Sequence, residues 1–186
     1  MKGILEVLNR SAEVKLGLAA DAQFLGEFAL SVAVLRSVVA DGGTIYACGN
    51  GGSACDAMHL TEELVARYKG DRPGIRAAHW LDAGTLTCWG NDKDFKSVFA
   101  RSAETFCTGR DVLVAISTSG NSANICAAAE TARAKGSKVI GLLGRDGGKM
   151  KALCDVALIV PVMETERIQE AHITLIHAWC ELFEVV

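Results

Sequence analysis

The 186-residue sequence contains no Cys-x-x-Cys pair, no surplus of positive charge and no continuous apolar run of membrane-spanning length. Each absence closes off a class of protein. Seven cysteines without paired spacing argue against a zinc ribbon or a dithiol redox centre, and an odd number argues against a disulfide framework. Most of them stand in apolar stretches, where a thiol acts as a small hydrophobe, so reduced, buried cysteines and a cytoplasmic location are expected. Acidic residues outnumber basic ones by 22 to 19, for a net charge of -3. No global field draws in a nucleic-acid backbone or an anionic membrane, and neither is expected as a partner. The longest apolar stretches, such as Phe28 to Leu35, fall short of the ~18–20 residues that cross a bilayer. Glu6, Arg10, Glu13 and Lys15 break up any core of the kind a secretory signal needs. Only two prolines and a 50% hydrophobic composition exclude a collagen-like or disordered chain.

What is present is the pattern of one α/β domain. Apolar residues at spacings of three and four between Lys2 and Ala40 predict two amphipathic helices, stopped by Asp41-Gly42-Gly43. Residues 1–43 are read as an N-terminal helical segment of the same domain, and residues 44–186 as its main body. Five short apolar runs follow: Thr44 to Cys48, Ala77 to Leu81, Val112 to Ile116, Val139 to Leu143 and Val156 to Val160. Continuous apolar strands alternating with helices indicate a five-stranded parallel sheet covered on both faces, a three-layer αβα sandwich. Glu164 to Val186 reads as a closing helix.

Two strands run into loops of small polar residues. Thr44 to Cys48 enters Gly49-Asn50-Gly51-Gly52-Ser53, and Val112 to Ile116 enters Ser117-Thr118-Ser119-Gly120-Asn121-Ser122. Loops at the carboxyl ends of parallel strands bind ligands, and helix N-termini offer free N–H groups to anions. Neither loop has the Gly-Lys-Ser/Thr ending of a nucleotide P-loop, and Gly-x-Gly-x-x-Gly is missing. Hydroxyls and amides without an obligatory lysine suit a sugar phosphomonoester better than a triphosphate or dinucleotide. Tight turns and helix caps are the alternative use of the same residues.

The helix after the first loop carries His59 and Glu63 at i, i+4, on one face, a pair that can bind a metal or pass protons. The last helix holds Gln169 and His177, about 12 Å apart along the axis and about 80° around it. That separation suggests that different subunits contribute to one site. Glu62 is expected at the surface, His79 as a core or edge residue of a strand, and His172 on another side of its helix from His177.

Cys48-Gly49-Asn50-Gly51-Gly52-Ser53 with Cys55-Asp56-Ala57-Met58-His59, Gly90-Asn91-Asp92, Ile116 through Asn124, Asp146 through Met150, and Arg167 through His172 with His177 together resemble the sugar isomerase (SIS) domain family. Within it they resemble the phosphoheptose isomerases, over nearly the whole chain. The resemblance implies a flavodoxin-like SIS fold whose N-terminal helices pack on neighbouring subunits. It implies a homotetramer with sites between subunits, and conversion of sedoheptulose 7-phosphate to D-glycero-D-manno-heptose 7-phosphate, the first step toward nucleotide-activated heptose. Asn50, Gly51, Gly52, Ser53, Ser117, Thr118, Ser119 and Ser122 then bind substrate, chiefly its phosphate, and Asn91 and Asp92 contact the sugar. His59, Glu63, Gln169 and His177 match the ligands of one Zn²⁺ per subunit, with Glu63 and Gln169 also facing substrate. Glu63 is the expected general base and His177 its acid/base counterpart. Ala54 stands where many members have histidine, and the segments 79–85 and 162–166 depart from the family pattern. Two other readings are an isomerase or sensor for a different sugar phosphate, and a non-catalytic SIS scaffold that binds a replication initiator.

Overall fold

The chain was analysed as a computed structural model, which describes residues 2–184. Helices α1 (Lys2–Ala20) and α2 (Ala22–Ala40) precede β1 (Ile45–Cys48), α3 (Gly52–Val65), β2 (Ala77–His79), α4 (Ala83–Asp92), α5 (Val98–Phe106), β3 (Val112–Ser117), α6 (Ala123–Ala134), β4 (Lys138–Gly144), β5 (Val156–Val160) and α7 (Thr165–Glu184). A 3₁₀ turn spans Lys149–Leu153 between β4 and β5. All strand pairs are parallel, in the order β2-β1-β3-β4-β5. The expected α/β architecture is therefore present, including all five strands.

The sheet divides the core in two because successive side chains of a strand point to opposite faces. Ile45, Ala47, Val112, Val114, Ile116, Ile140 and Leu142 pack with residues of α2, α3 and α7. Cys48, Leu113, Ala115, Val139 and Leu143 pack on the other face with residues of α5 and α6. Every residue of β3 is buried, which is why this strand reads as an unbroken apolar run.

The break between the first two helices is set by Asp21, whose carboxylate accepts from Gln23 N and Phe24 N at 2.9 and 3.1 Å and so caps α2. By length and composition α2 could cross a bilayer, although Glu27, Ser31 and Arg36 interrupt its apolar run. In the fold, Phe24, Ser31, Leu35 and Val38 of this helix are buried. Ser31 Oγ donates to Phe28 O and accepts from Trp179 Nε1 at 2.9 Å, a buried link between α2 and α7. Helix α1 docks on α7 through Val14 and Leu18, through Arg167, whose guanidinium donates to Val7 O, and through the exposed pair Arg10–Glu164.

Some boundaries differ from the sequence reading. Strand β2 ends at His79 rather than at residue 81. There Leu81 N donates to His79 Nδ1, and the Asp82 carboxylate caps α4 by accepting from Thr85 N at 2.7 Å. All seven cysteines are free, but only Cys48, Cys107 and Cys180 are buried. Cys55 and Cys88 are exposed, because they lie on the outer sides of α3 and α4 rather than in strands.

Candidate active site

Strand order reverses between β1 and β3. The chain leaves β1 toward β2 on one side of it, and β3 returns on the other. The connections after β1 and β3 therefore part to opposite faces and leave a crevice at the carboxyl edge of the sheet. Both small-residue loops open there, from strands held in register by Cys48 opposite Ala115.

In the second loop, Ser117 Oγ donates to Ser122 Oγ at 3.2 Å, and Ser119 Oγ accepts from Asn121 N at 3.1 Å. Ser117 is buried, while Thr118, Ser119 and Ser122 are half-buried. Ser122 stands at the N-cap of α6, where Ile125 N and Cys126 N donate to Ser122 O and the preceding N–H groups of Ala123 and Asn124 have no intrahelical acceptor. Gly120 has φ +62, and a β-carbon there would run into the Gly147 carbonyl, so the loop is braced from behind by the segment after β4. Met150 N donates to Gly120 O, which completes that brace.

The two loops are tied together. Asn50 Nδ2 donates to Asn124 Oδ1 at 2.9 Å, and Asn124 Nδ2 donates to Asn50 Oδ1 at 2.8 Å. Asn124 is buried, Asn50 half-buried.

Helices α3 and α7 advance side by side in the same direction. Gly52 meets the amide of Gln169, and about two turns further on His59 meets His177. A β-carbon at Gly52 would stand 2.5 Å from Gln169 Nε2, so the glycine is what lets that amide lie on the start of α3. His59 Nε2 is 3.0 Å from His177 Nε2 and 3.3 Å from Glu63 Oε1. Glu63 is mostly shielded, with 15% of its side chain exposed against 40% for His59. The Tyr68 ring lies 5.9 Å from that of His177. One chain thus gathers His59, Glu63 and His177 without help from another subunit. Gln169 and His177 both face α3 of the same chain, Gln169 at Gly52 and His177 at His59, so the offset between them is matched within one subunit.

Two imidazole nitrogens facing one another can share only one proton, and a carboxylate oxygen beside them adds a third acceptor. Ligand atoms around a tetrahedral zinc with bonds of about 2.0–2.1 Å stand about 3.3 Å apart. The three side chains place their ligand atoms within 4.8 Å of one another, so this N, N, O donor set fits such an ion.

Asp56 was missed by the sequence reading. It lies three residues before His59 and seven before Glu63, on the side of α3 that also carries Gly52, all within an arc of about 60°. Extending the His59–Glu63 stripe back by one turn would have found it. Asp56 is 9% exposed, its Oδ2 has no partner, and burial pushes its carboxyl up to about 6, against the opposing pull of His59.

Other expected residues lie apart. Asn91 and Asp92 are exposed at the end of α4, hydrogen-bonded to each other at 2.9 Å. No side-chain hydrogen bond among the described residues joins them to either loop. Glu62 is exposed, as expected, and His79 is the exposed last residue of edge strand β2. His172 is fully buried, with its Nε2 3.0 Å from Leu143 O. Burial pushes its pKa down to about 4, so it is a neutral core donor.

Residues 23–144 match the family model described as SIS domain. The chain is 49% identical over 152 residues to the phosphoheptose isomerase of Helicobacter hepaticus, covering 81% of this chain and 78% of that one. It is 46% identical over 166 residues to that of Tolumonas auensis, covering 89% and 86%. The solved phosphoheptose isomerase of Neisseria gonorrhoeae superimposes with a TM-score of 0.93 at 36% identity, over 100% of this chain and 98% of that one. A loop pair at the switch point, a His–Glu–His cluster beside it and these likenesses converge: the chain belongs to the phosphoheptose isomerase family of SIS-domain proteins.

Proposed function

We infer that the chain is an aldose–ketose isomerase that converts sedoheptulose 7-phosphate to D-glycero-D-manno-heptose 7-phosphate. The observation that carries the reading is the meeting of His59, Glu63 and His177 at 3.0 and 3.3 Å beside two anion-suited loops at one edge of the sheet. The phosphate is held by Ser117, Thr118, Ser119 and Ser122 with the N-terminus of α6, and by the backbone around Asn50, Gly51, Gly52 and Ser53. Gln169 completes the contacts to the sugar within one chain, and the exposed Asn91–Asp92 pair, which lies apart from the cluster, would contribute from a neighbouring subunit of the tetramer.

Moving the carbonyl from C2 to C1 takes a proton from C1 and returns one to C2, while a proton passes between the two oxygens through an enediol. Glu63 is assigned the carbon proton, since a carboxylate has a second oxygen free when Oε1 faces His59. His177 is assigned the oxygen-to-oxygen transfer. His59, Glu63, Gln169 and His177 would hold one Zn²⁺ per subunit, which when bound polarises the oxygens of the intermediate. The remaining apolar surface of the N-terminal helices, Ile4, Leu5, Leu8 and Leu16 on α1 with Leu25 and Leu30 on α2, supports assembly into a homotetramer. Seven free cysteines support a cytoplasmic setting.

The test is turnover followed by NMR. Sedoheptulose 7-phosphate is expected to be isomerised and unphosphorylated sedoheptulose to be left unchanged, while His177→Ala loses the activity. Equal rates with and without the phosphate would refute the role of the loops.

A further inference from the structure

We propose that the reciprocal amide pair Asn50–Asn124 is a spacer that fixes the distance between the phosphate-holding loop and the proton-transfer cluster, and so sets the length of sugar phosphate that the site accepts. Asn124 is the positioning residue of the pair. The inference rests on the isomerase reading above and adds a determinant of substrate length to it.

Strands β1 and β3 stop pairing at Cys48–Ala115, and beyond that point their chains separate to opposite faces of the sheet. Helix α3, which carries His59 and Glu63, leaves from one side of the crevice. Helix α6, which begins at the phosphate loop, leaves from the other. The side-chain link across the gap is the Asn50–Asn124 pair, with both bonds short, at 2.9 and 2.8 Å. A two-bond amide pair resists both sliding and twisting, which a single hydrogen bond does not. Asn124 is 4% exposed and engages one N–H of its amide and its amide oxygen with Asn50. Buried and bonded to Asn50 through both ends of its amide, Asn124 acts through Asn50 and the start of α3.

A ketose phosphate would reach from its phosphate at the serine loop to its C1–C2 end at the His59, Glu63 and His177 cluster on α3 and α7. A change in spacing of about 1 Å costs on the order of a hundredfold when reacting groups must align. The penalty falls on the substrate whose length matches the present spacing. Shorter ketose phosphates, which already fail to reach, lose little.

The experiment compares wild type, Asn124→Ala, Asn50→Ala and the double variant on sedoheptulose 7-phosphate, fructose 6-phosphate and ribulose 5-phosphate, with inorganic phosphate as competitive inhibitor. The expected result is a roughly tenfold or greater loss of kcat/KM for the seven-carbon substrate, with the shorter substrates changed by less than about threefold. The inhibition constant of inorganic phosphate stays within about twofold, because the serine loop is intact. The double variant is no worse than Asn124→Ala alone, since both changes break the same pair. If Asn124→Ala fails to fold, Asn124→Asp, which keeps the size of the side chain and removes its donor to Asn50 Oδ1, gives the same readings. The proposal is overturned if all three substrates fall by the same factor, or if phosphate inhibition weakens in step with turnover. Wild type inactive on all three ketose phosphates would instead overturn the isomerase reading, and the length determinant with it.

Discussion

Gly52→Ala separates activity from stability. A β-carbon at this position would stand 2.5 Å from Gln169 Nε2 and 2.8 Å from its Cδ and Oε1. Carbon and nitrogen in ordinary contact keep about 3.5 Å or more, so an overlap of roughly 1 Å must be relieved. The first turn of α3 is set by Ser53 N and Ala54 N donating to Asn50 O and Gly51 O, and the mobile party is the end of the Gln169 side chain. Turning that amide aside costs about 0.5–1.5 kcal/mol in rotamer strain. Replacing glycine by alanine in a helix returns up to about 1 kcal/mol, so the two nearly cancel and the melting temperature should move by only a few degrees. Activity should not be spared under the proposed role of Gln169 at the sugar, because displacing a substrate-contacting group by about 1 Å costs on the order of a hundredfold. The assay is kcat/KM on sedoheptulose 7-phosphate and thermal melting for wild type, Gly52→Ala, Gln169→Ala and the double variant. Each single variant should lose roughly ten- to a hundredfold, and the double should lose no more than Gln169→Ala, because both act through one side chain. A fully active Gly52→Ala, or a double variant whose losses multiply, would refute the reasoning.

Three other outcomes follow from the structure. His172 has a folded-state pKa of about 4, below its ordinary value of 6.5, so its contribution is complete above pH 6.5 and is lost as pH falls toward 4. The loss amounts to about 3 kcal/mol at most, and His172→Gln, which can keep a bond to Leu143 O, should flatten the wild-type decline in urea stability between pH 6.5 and 4. Ser31→Ala should cost about 1–2 kcal/mol in denaturant unfolding, because Trp179 Nε1 is left buried without an acceptor, and Ser31→Ala with Trp179→Phe should cost less than the sum of the two. Dialysis against a chelator should lower isomerase activity and Zn²⁺ should restore it; in His59→Ala the restoration should fail, as measured by metal content and rate together.

How far the sequence disclosed this molecule depended on the range of the interaction involved. Strand positions were legible because a parallel sheet buried on both faces demands unbroken apolar runs, as in Val112–Ile116, which the fold extends by the buried Ser117. The His59–Glu63 pair was legible because helical periodicity alone puts i and i+4 together. The partner of His59 was not. Nothing local says that α7 lies along α3 in the same direction, so the offset between Gln169 and His177 looked like a strain for other subunits to relieve. In the fold it matches the offset of about two turns between Gly52 and His59 on α3. Asp56 was hidden for a different reason: an aspartate in a helix reads as a surface residue until the packing against it is known, and only burial raises its carboxyl to about 6. The Asn50–Asn124 pair joins residues 74 positions apart, and the glycine-rich loop around Asn50 gave its side chain no visible partner.

The most direct measurement is Glu63→Gln, with substrate binding and turnover recorded on the same preparation. The change keeps the size of the side chain and removes its capacity to accept a proton from carbon. Sedoheptulose 7-phosphate should still bind within several-fold of wild type, because the serine loop is untouched, while kcat falls by roughly a hundred- to ten-thousandfold. A Glu63→Gln protein that isomerises the substrate near the wild-type rate would contradict the assignment of proton transfer to this cluster.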